Sequence, residues 1–195
     1  MKNLNLLLIV STIATFTACK NNTKQQEKKL PNHEVSKTVE EKTNNAKSVT
    51  IALNAKSESN VGGKVVFTEN NDVVNMVASI NGLEPGVHAI HIHETADCSS
   101  ADGKSAGGHW NPTSQPHGAW GAETGYHKGD IGNFTADESG HAEIEFSTSE
   151  WCLDCNDNTK NIIGKGLIVH AGKDDLTSQP SGDAGARVSC AGIIQ

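Results

Sequence analysis

From residue 48 onward, short β-type segments alternate with turn residues, and this region carries no amphipathic helical period of useful length. Alternating apolar side chains bounded by Gly, Asn and Asp predict strands. The predicted strands cover residues 49–53, 61–69, 73–80, 87–93, 131–136, 141–147, 166–170 and 187–194. Eight turn-separated strands predict an all-β fold, either an eight-stranded flattened Greek-key barrel or an immunoglobulin-like β-sandwich.

Two long stretches between these strands, residues 94–130 and 171–186, have no strand pattern. Loops of this length inside one domain usually carry function. The chain has 195 residues, which suffices for one domain of ordinary size with a tail. We therefore expect one β domain over residues 48–195 with two long functional loops.

The charge of the chain is negative and unevenly distributed. The formal net charge is −7, and residues 48–195 carry eight Lys or Arg against nineteen Asp or Glu, a net of −11. This balance excludes a basic nucleic-acid-binding domain. Arg187 is the only arginine, and eight of the nine histidines fall between His88 and His170. Such clustering of imidazoles indicates metal chemistry.

The N-terminus has the pattern of an export signal. Lys2 precedes an apolar run over residues 4–16, which is too short for a permanent membrane span, and small residues lead to Cys19. A lone cysteine at this point resembles the bacterial lipoprotein box. It predicts a lipoprotein signal peptide over residues 1–18 and a lipid on Cys19. Ordinary cleavage nearby with an incidental thiol is the alternative.

The segment after Cys19 is polar. Residues 20–47 hold seven Lys, four Glu and almost no apolar side chains, so they cannot bury enough surface to fold. Residues 19–47 are therefore predicted to be a disordered tether that anchors the domain to a membrane through its lipid. We expect a membrane-anchored lipoprotein of the bacterial cell envelope, in the periplasm or at the cell surface.

The fourth predicted strand contains two histidines on one face. Side chains alternate along a strand, so His91 and His93 share a face and lie roughly 6–7 Å apart. Ile90 and Ile92 face the opposite way, into the core. By itself this spacing is a weak indication of a metal site.

Further candidate ligands follow in the loop and at the end of a later strand. They are His109, His117, His127, Asp130 and His170. Neutral imidazoles with one carboxylate suit zinc or copper, whereas calcium and magnesium prefer oxygen ligands. The alternative is a set of solvent-facing loop histidines with no shared partner. The presence of six histidines and one aspartate in this order disfavours that alternative.

Six segments of the chain form a specific set of motifs. They read GVHAIHIHE at 86–94, GGHWNP at 107–112, HKGDIGN at 127–133, GLIVH at 166–170, DD at 174–175 and GARVSCAG at 185–192. Together they closely resemble copper/zinc superoxide dismutase of the exported bacterial kind. The resemblance extends over residues 48–195.

The resemblance implies one copper and one zinc ion per subunit. It assigns copper to His91, His93, His109 and His170, and zinc to His109, His117, His127 and Asp130. His109 would then bridge both ions as an imidazolate. The carboxylate of Asp174 would hydrogen-bond to His91 and His117 and fix their orientation. His88 matches a histidine that the family uses structurally.

The implied activity is the dismutation of superoxide to dioxygen and hydrogen peroxide by alternating one-electron chemistry. In this cycle His109 takes up a proton and passes it to the peroxide. Arg187 matches the arginine that docks the anion. The lysine and glutamate arrangement that steers substrate in animal enzymes is missing after Asp174, which leaves steering to lysines elsewhere, such as Lys104 or Lys128.

The alternative function is a protein of the same fold that binds or delivers copper and zinc without turnover. Arg187 and Asp174 favour catalysis, because storage needs neither an anion-docking group nor a bridged pair of ions. The complete set of zinc ligands disfavours a copper-only variant. The sequence leaves a monomer and a homodimer open.

The cysteines after Cys19 form two pairs. The resemblance pairs Cys98 with Cys190 in a disulfide, which an exported protein can keep. Cys152 and Cys155 lie outside the family pattern, and a local disulfide, a metal site and a redox pair are all open. A structural disulfide is favoured, because a thioredoxin-like motif would need a βαβ unit.

Overall fold

The computed structural model of the chain describes residues 46–195. The predicted signal peptide, Cys19 and the predicted tether up to residue 45 lie outside the described residues. The strands are β1 Lys47–Ala55, β2 Gly62–Asn70, β3 Val73–Asn81, β4 Gly86–His93, β5 Gly132–Ala136, β6 Ala142–Thr148, β7 Gly166–His170 and β8 Arg187–Gly192. All eight predicted strands are present, with ends that differ by at most two residues.

The strands form one antiparallel sheet in the order β5-β4-β7-β8-β1-β2-β3-β6. The end strands β5 and β6 approach each other, so the sheet nearly closes into a barrel. The neighbours β3 and β6, and likewise β4 and β7, are not consecutive in sequence, as Greek-key connections require. The predicted Greek-key barrel is therefore confirmed.

Alternate side chains of each strand fill the barrel. In β3, Val74, Met76, Ala78 and Ile80 are fully buried, while the residues between them are exposed or partly exposed. This is the period of two that a sheet with one buried face requires. The apolar interior thus explains why these strands could be located from sequence alternation.

Strand β4 differs from the others because both of its faces are buried. Ile90 and Ile92 pack in the hydrophobic core. His91 and His93 lie on the opposite face and are fully buried as well. A polar face that is sealed from solvent needs partners for its ring nitrogens, and this face is where the site is built.

The two long loops connect β4 to β5 and β7 to β8. The first contains a single turn of 3₁₀ helix at Lys104–Ala106. A disulfide between Cys98 and Cys190 joins this loop to β8, with the two Cα atoms 5.9 Å apart. Nothing helical between residues 46 and 195 has the length and apolar character needed to cross a membrane.

The second cysteine pair is also bonded to itself. Cys152 and Cys155 form a disulfide within the connection between β6 and β7. The favoured prediction of a local disulfide is confirmed, and neither thiol is free to hold a metal ion in this state.

Candidate metal centre

Backbone pairing brings three histidines to the outer face of the sheet. His91 of β4 lies opposite Ile168 of β7, and His170 ends β7 at a register shift. The first loop then adds His109 by pairing with the end of β4, where His93 and His109 form an isolated antiparallel bridge. Histidines that are far apart in sequence therefore meet on one face.

Four histidines form the first cluster, and each offers a buried ring nitrogen to the same point. The ligand atoms lie within 4.8 Å of one another. Four ring nitrogens have no hydrogen-bond partner among the described residues: Nδ1 of His91 and Nε2 of His93, His109 and His170.

In two of these histidines, the ring nitrogen that faces away from the cluster is held by a backbone carbonyl oxygen. The Nδ1 of His93 lies 3.0 Å from the Gly107 carbonyl oxygen, and that of His170 lies 3.4 Å from the Gly185 carbonyl oxygen. Such contacts fix both the tautomer and the orientation of a ligating imidazole. They direct the free nitrogens toward the centre of the cluster.

Three histidines and one carboxylate form the second cluster, and their ligand atoms also lie within 4.8 Å of one another. The Asp130 carboxylate is at its centre. The Nδ1 atoms of His109, His117 and His127 lie 2.8, 3.0 and 3.1 Å from its oxygens. His127 and Gly118 each also donate a backbone N–H to Oδ2 of Asp130, which holds the carboxylate in place.

His109 belongs to both clusters. Its Nε2 is buried without a partner on the side of the first cluster, while its Nδ1 faces Asp130 in the second. Its ring centroid is 4.1 Å from that of His91 and 5.3 Å from that of His117. A single imidazole with its two nitrogens turned to two neighbouring clusters has the arrangement that a bridging ligand needs.

Asp174 links the clusters from behind. Its Oδ2 lies 2.9 Å from Nε2 of His91 and its Oδ1 lies 3.0 Å from Nε2 of His117. Asn133 holds the backbone of Asp174 from both sides: its Oδ1 accepts from the N–H at 2.8 Å, and its Nδ2 donates to the C=O at 2.8 Å. Asn133 ends the motif at 127–133, and nothing in the sequence of that motif predicts this contact.

Burial sets the protonation of the first cluster. It lowers the pKa of His93 and of His170 well below the usual value, and the neighbouring imidazoles lower both pKa values further. Burial also lowers the pKa of His109 to about 4, although the hydrogen bond with Asp130 opposes this shift. These rings are neutral at pH 7, which is the form that binds a metal ion.

The two buried carboxyl groups remain ionised. Burial alone would raise their pKa values, but hydrogen bonds from the surrounding imidazoles lower the pKa of Asp130 and of Asp174 below the usual range. Against the effect of burial, the Asp174 carboxylate bonded to Nε2 and the nearby negative charge of Asp130 raise the pKa of His117 to about 9. The ionised Asp130 is therefore available as the anionic ligand of a divalent cation.

The donor atoms fit copper and zinc. Six buried ring nitrogens lack a hydrogen-bond partner within residues 46–195, and each belongs to one of the two clusters. Leaving so many buried polar atoms unpaired is costly unless another group satisfies them. Imidazole nitrogens with a single carboxylate suit zinc and copper in geometry and softness. The residues present therefore suit both ions.

A cavity of about 620 Å³ opens onto the first cluster. Its wall includes His93, His109 and His170, together with Arg187 at the beginning of β8. Arg187 is partly buried, and its Nη1 donates to the Gly103 carbonyl oxygen at 2.9 Å. Burial lowers the pKa of Arg187, while the nearby carboxylates of Asp102 and Glu94 oppose this shift.

Of the two lysines considered for substrate steering, only Lys104 lines this cavity. Its Nζ lies 3.0 Å from the Asp102 carboxylate, which reduces its influence. Lys128 instead forms an ion pair with Glu150. Lys128 is not among the residues that line the cavity.

The other histidines lie outside both clusters. The two ring nitrogens of His88 lie 3.0 Å from the His170 carbonyl oxygen and 2.7 Å from the Glu84 carbonyl oxygen, consistent with its predicted structural role. His141 is partly exposed, beside Asn81. His33 lies outside the described residues.

Comparison with known proteins agrees with this geometry. A family model described as copper/zinc superoxide dismutase (SODC) matches residues 61–193. The chain is also similar to the extracellular superoxide dismutase [Cu-Zn] of Haemonchus contortus, with 36% identity over 138 residues. That alignment covers 68% of this chain and 72% of the relative.

Proposed function

Because this chain belongs to the copper/zinc superoxide dismutase family, we propose that its two histidine clusters hold the copper and the zinc ion of a superoxide dismutase. The enzyme converts superoxide to dioxygen and hydrogen peroxide. The proposed copper ligands are His91, His93, His109 and His170, and the proposed zinc ligands are His109, His117, His127 and Asp130.

One observation supports this assignment above all others. The buried ring nitrogens without a hydrogen-bond partner in the described chain number six, and they all point into the two clusters. His109 is the exception in having both nitrogens engaged in the site, one toward each cluster. This pattern supports two neighbouring ions that share one imidazole.

Bound copper supplies one-electron redox chemistry, and bound zinc supplies a fixed positive charge that does not change oxidation state. The chain relays one of the two protons that hydrogen peroxide contains; solvent supplies the other and restores the relayed one. When its Nδ1 binds zinc, the neutral ring of His109 would hold its proton on Nε2, which faces the first cluster. His109 is therefore the residue that we expect to deliver a proton to the reduced substrate.

Arg187 is the proposed docking group for the superoxide anion. It is the only guanidinium in the chain, and it lines the cavity that contains His93, His109 and His170. A guanidinium has five N–H donors, and one donor of Arg187 is used by Gly103. The remaining donors can bind a small anion. An anion-docking group at this position favours turnover over metal storage.

We further propose that the protein is an exported lipoprotein of the bacterial envelope, with a signal peptide over residues 1–18, a lipid on Cys19 and a tether over residues 19–47. Two disulfides support export, because such bonds persist in oxidising compartments. The similar protein of Haemonchus contortus is extracellular by name. Cys19→Ser is expected to move the protein from the membrane fraction to the soluble fraction.

The decisive experiment counts bound metal and measures superoxide consumption in the same samples. The wild type is expected to hold one copper and one zinc ion and to turn over rapidly. His109→Ala is expected to lose the turnover and to weaken binding of both ions. His141→Ala is the matched control, because its ring lies outside both clusters. A His109→Ala protein with unchanged metal content and rate would refute the proposal.

A further inference from the structure

The backbone of His117 lies in a part of the first loop without regular secondary structure, yet the residue is almost fully buried. No backbone group within residues 46–195 hydrogen-bonds to its N–H or its C=O. A buried backbone polar group that stays unpaired costs free energy comparable to a lost hydrogen bond. A side chain or a water molecule must therefore satisfy each group.

Gln179 supplies both partners. Its Oε1 accepts from the N–H of His117 at 2.8 Å, and its Nε2 donates to the C=O of His117 at 2.9 Å. The second N–H of the same amide can reach the Thr177 carbonyl oxygen at 3.2 Å. A primary amide has an acceptor and two donors, so it complements a backbone N–H and C=O as a paired strand would.

The second loop also contacts the ring of His117. Asp174 accepts from its Nε2, as described above. Gly182 lies against the same two groups at a φ of +69°, and a Cβ there would be 2.6 Å from Nε2 of His117 and would collide with the Asp174 carboxylate. The second loop thus holds His117 at its backbone through Gln179 and at its ring through Asp174.

We propose that Gln179 is a positioning residue for the zinc site. The inference depends on the proposed function, in which Nδ1 of His117 is a zinc ligand. By fixing the backbone of His117 on both sides, Gln179 keeps this Nδ1 at 3.0 Å from Asp130, where the other zinc ligands converge.

The hydrogen bonds of Gln179 have two further consequences. They reach only His117 and Thr177, so Gln179 acts on the zinc cluster directly and on the copper cluster only through Asp174 and the shared His109. The next residues, Pro180 and Ser181, line the substrate cavity. The same amide therefore joins the zinc site to one wall of the cavity.

The test uses the fully metal-loaded protein and Gln179→Met, which keeps the length of the side chain and removes its hydrogen bonds. Zinc and copper release to a chelator are measured in parallel. Zinc release is expected to be about tenfold faster, the lower end of the effect of losing an outer partner of a metal ligand, while copper release changes much less. The visible spectrum of Co²⁺ placed at the zinc site is expected to change as well.

Gln115→Met is the matched control. Gln115 is exposed, lies two residues from His117 and donates its side-chain amide only to the Thr113 carbonyl oxygen. Equal zinc release and equal Co²⁺ spectra in both variants and the wild type would overturn the inference and leave the proposed function intact. Equal acceleration of zinc and copper release would indicate general loosening and would also overturn it. A wild type that binds no zinc would overturn the site assignment and the inference together.

Discussion

The two disulfides allow a direct comparison of a long-range and a local cross-link. Cys98 and Cys190 are separated by 92 positions, whereas Cys152 and Cys155 are separated by 3. Each pair contains one buried cysteine, Cys190 or Cys152. Replacing each pair with alanines therefore removes similar side chains at similar depth and changes mainly the length of the loop that is closed.

The expected losses of stability follow from these separations. A disulfide restricts the unfolded chain, and this effect grows with the logarithm of loop length. Separations of 92 and 3 positions give about 4.6 and about 1.6 kcal/mol at 25 °C. The predicted difference is about 3 kcal/mol, a large part of the roughly 5–15 kcal/mol that stabilises a typical domain.

Cys98 also anchors the loop that presents the Gly103 carbonyl to Arg187, so turnover is expected to fall only in the long-range variant.

Guanidinium unfolding of the metal-free proteins measures the two losses. Removing metal eliminates the stabilisation that a bound ion gives to the native state, and tryptophan fluorescence follows the transition. The free energies of unfolding are extrapolated to zero denaturant, with one common slope against denaturant concentration for all variants. Equal losses in the two variants, or a larger loss from the local pair, would refute the reasoning from loop length.

Three further predictions concern the metal centre. Asp174→Asn is expected to weaken binding of both ions about 10–100-fold, because an amide cannot accept from both His91 and His117, whereas Asp175→Asn changes neither affinity. Competition with a chelator of known affinity measures both, and unchanged affinities would contradict the role of Asp174. Arg187→Ala is expected to keep both ions while it lowers the rate with superoxide and its salt dependence. Pulse radiolysis at increasing ionic strength measures this, and an unchanged rate constant would remove Arg187 from the mechanism. Zinc binding at pH 7 is expected to release about one proton, because the raised pKa of His117 at about 9 keeps it protonated in the metal-free protein. Zinc affinity should therefore increase with pH until about 9 and then level off; calorimetry in buffers of different ionisation enthalpy would show no proton release if this is wrong.

The strands were predictable because their alternation reports one buried face. The four buried residues of β3, from Val74 to Ile80, stand at every second position. The order of the strands was not predictable in this way. The pairing of Ile90 with Val169, for example, depends on the closure of the whole barrel and leaves no local pattern in either strand.

The ligand residues could be identified because imidazoles are rare and their motifs are specific. The residues that support them were harder to find. Asn133 contacts the backbone of Asp174 across 41 positions, and Gln179 contacts the backbone of His117 across 62 positions. A side chain that pairs with a distant backbone needs no particular neighbours in sequence, so neither role could be predicted from spacing. Lys128 shows the opposite case. Its charge suggested a role in steering the substrate, but the fold places it beside Glu150.

Arg187, the lone guanidinium at the rim of the cavity, can be modified selectively by a chemical reagent. Because Arg187 has no counterpart elsewhere in the chain, a dicarbonyl reagent that condenses with arginine has one target per molecule. Mass spectrometry can count that adduct on the unaltered protein. If inactivation follows the adduct one for one, the loss of activity is assigned to Arg187 without a single substitution.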